Sequence, residues 1–220
     1  MLLHWTVSLG AILLLGFLLG MRHATDADHV VAVSTIVSRQ RSVRSAAPIG
    51  ALWGAGHSVT VMLVGGAIIL FGLVIPTRVG LTLELAVGAM LVGLGAYALL
   101  RDHPAHDERP VGRLRSFCVG VVHGLAGSAA AALLVLGTIR DPRWATAYLA
   151  IFAGGTIVGM SIVTMLLALP FALAMSRLDR VRRTLTVIAG AASVALGVIV
   201  LYDVGIAHGL FTSHPQWTPR

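Results

Sequence analysis

The chain has 220 residues, 57% of them hydrophobic and 11% charged, with a formal net charge of +7 and one cysteine. A soluble domain of this size carries about 25% charged residues, so a water-soluble globule is excluded; the lone Cys118 excludes disulfide frameworks and dithiol electron carriers within the chain. All 16 basic residues are arginine, and without a lysine no Walker A loop exists, which excludes ATP hydrolysis by that route.

The N-terminal MLLHWTVSLG has no basic n-region and no small-residue cleavage site after it, so it is read as part of the membrane domain rather than a signal peptide. Apolar runs near the length that crosses a hydrocarbon core of about 30 Å then predict six spans. They are Val7–Val37, which polar residues interrupt, then Pro48–Val74, Val79–Leu100, Ser116–Ile139, Trp144–Leu169 and Leu185–Ile206. The expected fold is all-α and polytopic, a single membrane transport domain over 1–220 with no soluble domain attached.

Arginine sets the orientation. The loops after the first, third and fifth spans hold 11 arginines (Arg39, Arg41, Arg44; Arg101, Arg109, Arg113, Arg115; Arg177, Arg180, Arg182, Arg183), and the other side holds 4 (Arg78, Arg140, Arg143, Arg220). Loops rich in arginine stay in the cytoplasm, which predicts both termini outside and the 101–115 loop inside. Because these arginines lie in short loops, the net charge implies orientation in a lipid bilayer and no nucleic-acid partner.

The chain also repeats itself. FLLGMRH at 17–23 aligns with FCVGVVH at 117–123, sharing Phe, Gly and His. The third and sixth spans align at an offset of 102, matching Thr82, Gly88, Leu94 and Gly95 to Thr184, Gly190, Leu196 and Gly197. Gly56 in the second span matches Gly155 in the fifth. A second copy of three spans must insert upside down, so two inverted halves are expected, about 1–100 and 116–206. Inverted three-span repeats are a transporter architecture with the substrate held where the halves meet.

Chemistry concentrates in RHATDADH, which sets Arg22, His23, Asp26, Asp28 and His29 inside an apolar span. A charge at the centre of a membrane helix costs about 2.5–3.5 kcal/mol, so such a group is retained for use. Imidazole nitrogens and carboxylate oxygens without thiolate suit nickel, cobalt or zinc. On a regular helix His23 and Asp26 share a face while Asp28 and His29 point elsewhere. Either the helix is distorted so that the groups converge, or neighbouring spans supply further ligands. WGAGHSV adds His57 and Ser58, and VHGLAGSAA, the repeat partner of the first motif, keeps His123 without the acidic cluster. Thr156 stands where the second half would match His57. The candidate metal ligands are therefore His23, Asp26, Asp28, His29, His57 and His123. His103 and His106 are read as solvated loop residues, Glu84 and Asp203 as span-end groups that snorkel to water, and Trp5, Trp53 and Trp144 as partly interfacial anchors.

At RHATDADH the sequence resembles the nickel/cobalt transporter family, whose signature of His, four residues, then Asp-His falls on His23, Asp28 and His29. Gly56, His57 and Ser58 meet its second motif, and VHGLAGSAA resembles its short urease-accessory-like branch. Six spans are expected rather than the eight of the best-known members, and the later acidic motif with Asp and Thr is missing. The resemblance implies a secondary transporter, not an enzyme, that moves Ni2+ or Co2+ across a bacterial-type cytoplasmic membrane, with a link to nickel-enzyme maturation. The ion is cargo, and no organic cofactor is expected. Because His and Asp ligands shed protons to bind metal, uptake coupled to proton movement is expected. Efflux by the same fold is the near alternative; haem held by His23, His57 or His123 for electron transfer is the distant one.

Overall fold

The computed structural model describes residues 9–38, 40, 42–72, 75–100, 110–125, 138–139, 141–175 and 179–217. Among these residues the chain forms seven α-helices and no strand. They are α1 (Leu9–His23), α2 (Ala27–Val37), α3 (Val43–Phe71), α4 (Thr77–Leu100), α5 (Pro110–Leu125), α6 (Pro142–Met175) and α7 (Asp179–Tyr202), followed by a π turn over Asp203–Ala207. The helices α3, α4 and α6, and α7 together with its π turn, are long and apolar enough to cross a membrane. Leu63, Leu166, Ile188 and Ile199 stand out from them, exposed as lipid-facing residues are.

The expected first span, Val7–Val37, is not one helix. It breaks after His23 and resumes at Ala27. Thr25 N and Asp26 N donate to the carbonyls of Arg22 and His23, three residues back, and Thr25 Oγ1 also donates to the Arg22 carbonyl at 2.6 Å. Asp26 takes extended backbone angles as N-cap, and Val30 N then donates to its carbonyl to restart the helix. Threonine competes for backbone groups in this way, and aspartate favours caps over helix interiors, although the Asp26 side chain turns to His23 and makes no cap hydrogen bond. At 15 and 11 residues, α1 and α2 are about 22 and 16 Å long, each too short to cross alone. Both pack along α6: Gly16 meets Tyr148, Gly20 the Phe152 carbonyl, and Gly159 lies against Met21 and Ala24.

Small residues set the remaining contacts. Gly155 lies against the Phe17 carbonyl, Gly56 against the Phe117 carbonyl and Gly120 against the Trp53 carbonyl, so α1 meets α6, and α3 meets α5, nearly backbone to backbone. Along α4 and α7, Gly95 faces Gly190 and Gly88 faces Gly197, an antiparallel crossing at whose centre Ser193 Oγ donates to the Leu91 carbonyl at 2.8 Å. In lipid, where apolar surface gains little by being buried against another helix, such close approach supplies the van der Waals contact that holds helices together. A core of Ala32, Val33, Val37, Trp53, Leu91, Met160 and Phe171 gathers α2, α3, α4 and α6.

Glu84 does not snorkel. It is buried, about two turns into α4, and accepts from Trp217 Nε1 at 2.9 Å while the indole lies over Gly80. Trp53 is likewise buried rather than interfacial, whereas Trp144 is exposed as an anchor would be. The expected 101–115 loop up to residue 109, with His103 and His106, and the part of the fourth span at 126–137 lie outside the described residues, as do His4 and Trp5.

A Cβ at Gly155 would meet the Phe17 carbonyl, whereas one at the neighbouring Gly154 meets nothing within 4 Å. Overpacking of this kind costs about 1–3 kcal/mol. Gly155→Val should therefore lower the thermal unfolding temperature of the detergent-purified protein by several degrees, and Gly154→Val should leave it unchanged. Equal melting of the two would contradict the close crossing.

Candidate metal centre

The helix break aims side chains that a straight helix would splay apart. His23 is the last residue of α1, Asp26 caps α2, and Asp28 and His29 lie in the first turn of α2. Ending α1 at His23 and starting α2 afresh turns His29 back toward His23, and their ring centroids stand 4.6 Å apart. α3 contributes His57 and α5 contributes His123. All four imidazoles are buried, with 6% or less of their surface exposed.

The hydrogen bonds form two linked chains. Asp26 Oδ2 lies 2.9 Å from His23 Nδ1, and His23 Nε2 lies 3.0 Å from His57 Nε2. Asp28 holds two histidines at once: its Oδ1 lies 3.0 Å from His29 Nδ1 and its Oδ2 lies 2.9 Å from His123 Nε2. Asp28 Oδ1 also accepts from the backbone N–H of His29 at 2.9 Å. A carboxylate near the first turn of a helix is further favoured by the helix dipole.

These bonds assign the ring protons. A carboxylate accepts, so a neutral imidazole bonded to it carries its proton on the bonded nitrogen. His29 then donates from Nδ1 and His123 from Nε2, which leaves lone pairs on His29 Nε2 and His123 Nδ1. His23 donates from Nδ1 to Asp26, so its Nε2 accepts from His57 Nε2–H, and His57 Nδ1 keeps a lone pair. His29 Nε2, His57 Nδ1 and His123 Nδ1 are the three ring nitrogens of this cluster that are buried with no hydrogen-bond partner. A carboxylate behind a histidine is the usual outer support of a metal-ligating ring, fixing its tautomer and raising its basicity. Ligand atoms of His23, His29 and His57 lie within 4.8 Å of one another, as do those of Asp28, His29 and His123.

All six predicted candidates thus meet in one place, and His123 arrives from a helix 95 residues away in sequence. Thr156 is buried but turns inward on its own helix, donating to the Phe152 carbonyl at 3.0 Å. Sequence reasoning missed Trp53, whose ring stacks on His29 at 5.9 Å with an interplanar angle of 17° and meets His123 edge-on at 5.7 Å. The signal was its spacing of four from His57, which puts both on one face of α3.

Comparison with known proteins finds the urease accessory protein UreH of Bacillus sp. (strain TB-90), 35% identical over 93% of this chain and 96% of that protein. Two chloroplast proteins of Arabidopsis thaliana, FOR GROWTH AND FERTILITY 1 and 2, are each 25% identical over 89% of this chain. The match covers 60% and 57% of their lengths. No family model matches the chain, and no solved structure does.

Removing Asp28 strips the acceptor from two buried rings, removing Asp26 from one. A buried donor left without its acceptor costs about 1–3 kcal/mol. Asp28→Ala should therefore depress the unfolding temperature of the metal-free protein roughly twice as far as Asp26→Ala. Equal depression would show that the bridge between α2 and α5 carries no stability.

Proposed function

The chain belongs to the family of the urease accessory protein UreH, and from that membership we propose that it carries Ni2+, with Co2+ as a second cargo, inward across the cytoplasmic membrane. The one observation that carries the proposal is the buried group of four imidazoles backed by two carboxylates. Imidazole and carboxylate without thiolate is a donor set for nickel and cobalt. Asp26 and Asp28, both part-exposed, supply two negative charges against the two positive charges of an ion held among buried imidazoles, where an unpaired charge would be costly. Urease is a nickel enzyme, so a relative named as its accessory fits cargo delivered into the cell and a link to nickel-enzyme maturation. The protein is an all-helical membrane protein and not an enzyme.

The transport architecture belongs to the same proposal. The chain is one membrane domain of six spans, the first made of α1 and α2 in line, in two inverted halves with both termini outside. Support comes from contacts that recur when matching residues are exchanged. Gly20 meets the Phe152 carbonyl, and Gly120, its sequence match, meets the carbonyl of Trp53. Gly155 meets the Phe17 carbonyl, and Gly56 meets the carbonyl of Phe117. Gly88 faces Gly197 while their matches Gly190 and Gly95 face each other. A two-fold relation between halves produces such reciprocity, and the antiparallel α4–α7 crossing suits an axis in the membrane plane. Substrate at the meeting of inverted halves, beside a broken helix, is the common arrangement in secondary transporters.

Haem is the weaker reading. The imidazole pairs in ring contact have centroids from 4.1 to 6.2 Å apart, and His29 is in ring contact with the other three, so a flat macrocycle finds no slot between them. An absorption spectrum without a Soret band after haem loading would dispose of it.

Two measurements test the proposal. His23→Ala, His29→Ala and Asp28→Ala should abolish uptake of radioactive nickel by cells, normalised to protein in the membrane. His57→Ala should reduce it by about tenfold or more, since loss of even an outer-shell partner costs about 10–100-fold, and His103→Ala should not change it. Uptake at the normal rate by the His23 and Asp28 variants would leave a purely structural polar network. For orientation, His106→Cys should be shielded from an impermeant thiol reagent in whole cells and Gln216→Cys should react, in a chain whose Cys118 is replaced. Shielding at both positions would end the six-span topology.

A further inference from the structure

The cluster holds two sets of donors, and they share one residue. His23, His29 and His57 each bring a ligand atom within 4.8 Å of the other two, and so do Asp28, His29 and His123. The first set comes from α1, α2 and α3, the second from α2 and α5. His29 stands between them, its ring 4.6 Å from His23 and 4.1 Å from His123, while His57 and His123 lie 6.2 Å apart.

We infer that the cluster offers two overlapping positions to a single divalent cation, one at His23, His29 and His57 and one at Asp28, His29 and His123, and that the ion steps between them without leaving His29. The inference rests on the transport reading above and adds a path to it. His29 commits Nδ1 to Asp28 and has one lone pair left, on the buried and unpartnered Nε2. One lone pair binds one cation, so the positions are alternatives. Two divalent ions this close would also repel strongly.

The positions differ in character. The first is built of neutral imidazoles alone, and an ion there takes the His23 Nε2 lone pair in place of the His57 N–H bonded to it. The second adds a carboxylate: Asp28 Oδ2 keeps a further lone pair beside its bond to His123, while Oδ1 is committed to the ring and backbone N–H groups of His29. Their outer ligands sit on different helices, His57 on α3 and His123 on α5, which cross with Gly120 against the Trp53 carbonyl and Gly124 against that of His57. A small displacement of α5 along α3 therefore changes the distance from His29 to one outer ligand relative to the other. An ion that exchanges His57 for His123 while held by His29 never passes through a state with no protein ligand, and that is the costly state in a membrane interior.

Purified full-length protein titrated with Co2+ tests this, read by visible absorption and by metal content. The unsubstituted chain should bind one cobalt. His57→Ala and His123→Ala should each still bind one, with different d–d bands, because each retains one complete position. In proteoliposomes each should transport at least about tenfold more slowly, because the step has lost one end. His29→Ala should bind about 100-fold more weakly than the unsubstituted chain, the upper range for losing a metal-supporting group. Should an alanine variant fail to give monodisperse protein, His57→Gln or His123→Gln takes its place with the same expectations. Loss of cobalt binding on changing either outer histidine would show one undivided site and overturn the inference. Two cobalt ions per unsubstituted chain would overturn it, and so would normal transport by the His123 variant. Binding of neither cobalt nor, in a parallel titration, nickel to the unsubstituted chain would overturn the transport reading itself, an outcome distinct from the others.

Discussion

The Asp28 carboxylate, held between His29 on α2 and His123 on α5, is the interaction on which the rest of this structure depends. It ties the helix that follows the break to a helix 95 residues away. It also fixes which nitrogen of each ring carries the proton, and so which nitrogen is left with a lone pair. The same side chain caps a backbone N–H in the first turn of α2. The rings it holds are buried, and they must have this part-exposed carboxylate in place, because a polar group left unpaired in a low dielectric is expensive. That demand specifies the local fold more sharply than the apolar packing around it.

The apolar packing has the complementary task of letting the helices come close enough. Ring nitrogens 3 Å from their partners across different helices require backbones that approach without intervening side chains. Gly56 and Gly120 allow this between α3 and α5, and Gly20 and Gly155 allow it between α1 and α6. Both crossings lie within a turn of a histidine of the cluster: His57 follows Gly56, and His23 and His123 stand three residues after Gly20 and Gly120. Position and chemistry are therefore set by the same short segments. The exposed sides of the same helices carry Leu14, Leu63 and Leu166, which need only be compatible with lipid.

Much of this was readable from the sequence, and the remainder was hidden for two physical reasons. Charged residues and imidazoles inside an apolar run stand out because their cost in a membrane is high, so all six cluster residues were legible, His123 through its likeness to His23. Hydropathy registers an average over a window and carries no record of where a helix stops, so it marked Val7–Val37 as one interrupted span, and the ligand spacing allowed a distorted helix, without placing the stop at Thr25 and Asp26. Glu84 and Trp53 were misjudged for a different reason. Glu84 looked like a span-end acid because its partner, Trp217, lies 133 residues on. Trp53 looked like an anchor because the rings it stacks on arrive from α2 and α5. Local pattern reveals that a group is unusual; only the assembled chain reveals what satisfies it.

We propose that a transition-metal ion is held by these imidazoles and by no sulfur ligand, and X-ray absorption spectroscopy of the nickel-loaded, purified protein tests this. The expected result is a nitrogen and oxygen coordination shell with the multiple scattering of at least two imidazoles, and loss of that scattering in His29→Ala. A sulfur shell, implicating Cys118 or a methionine, would contradict it, as would nickel bound with the same spectrum after His29 is removed.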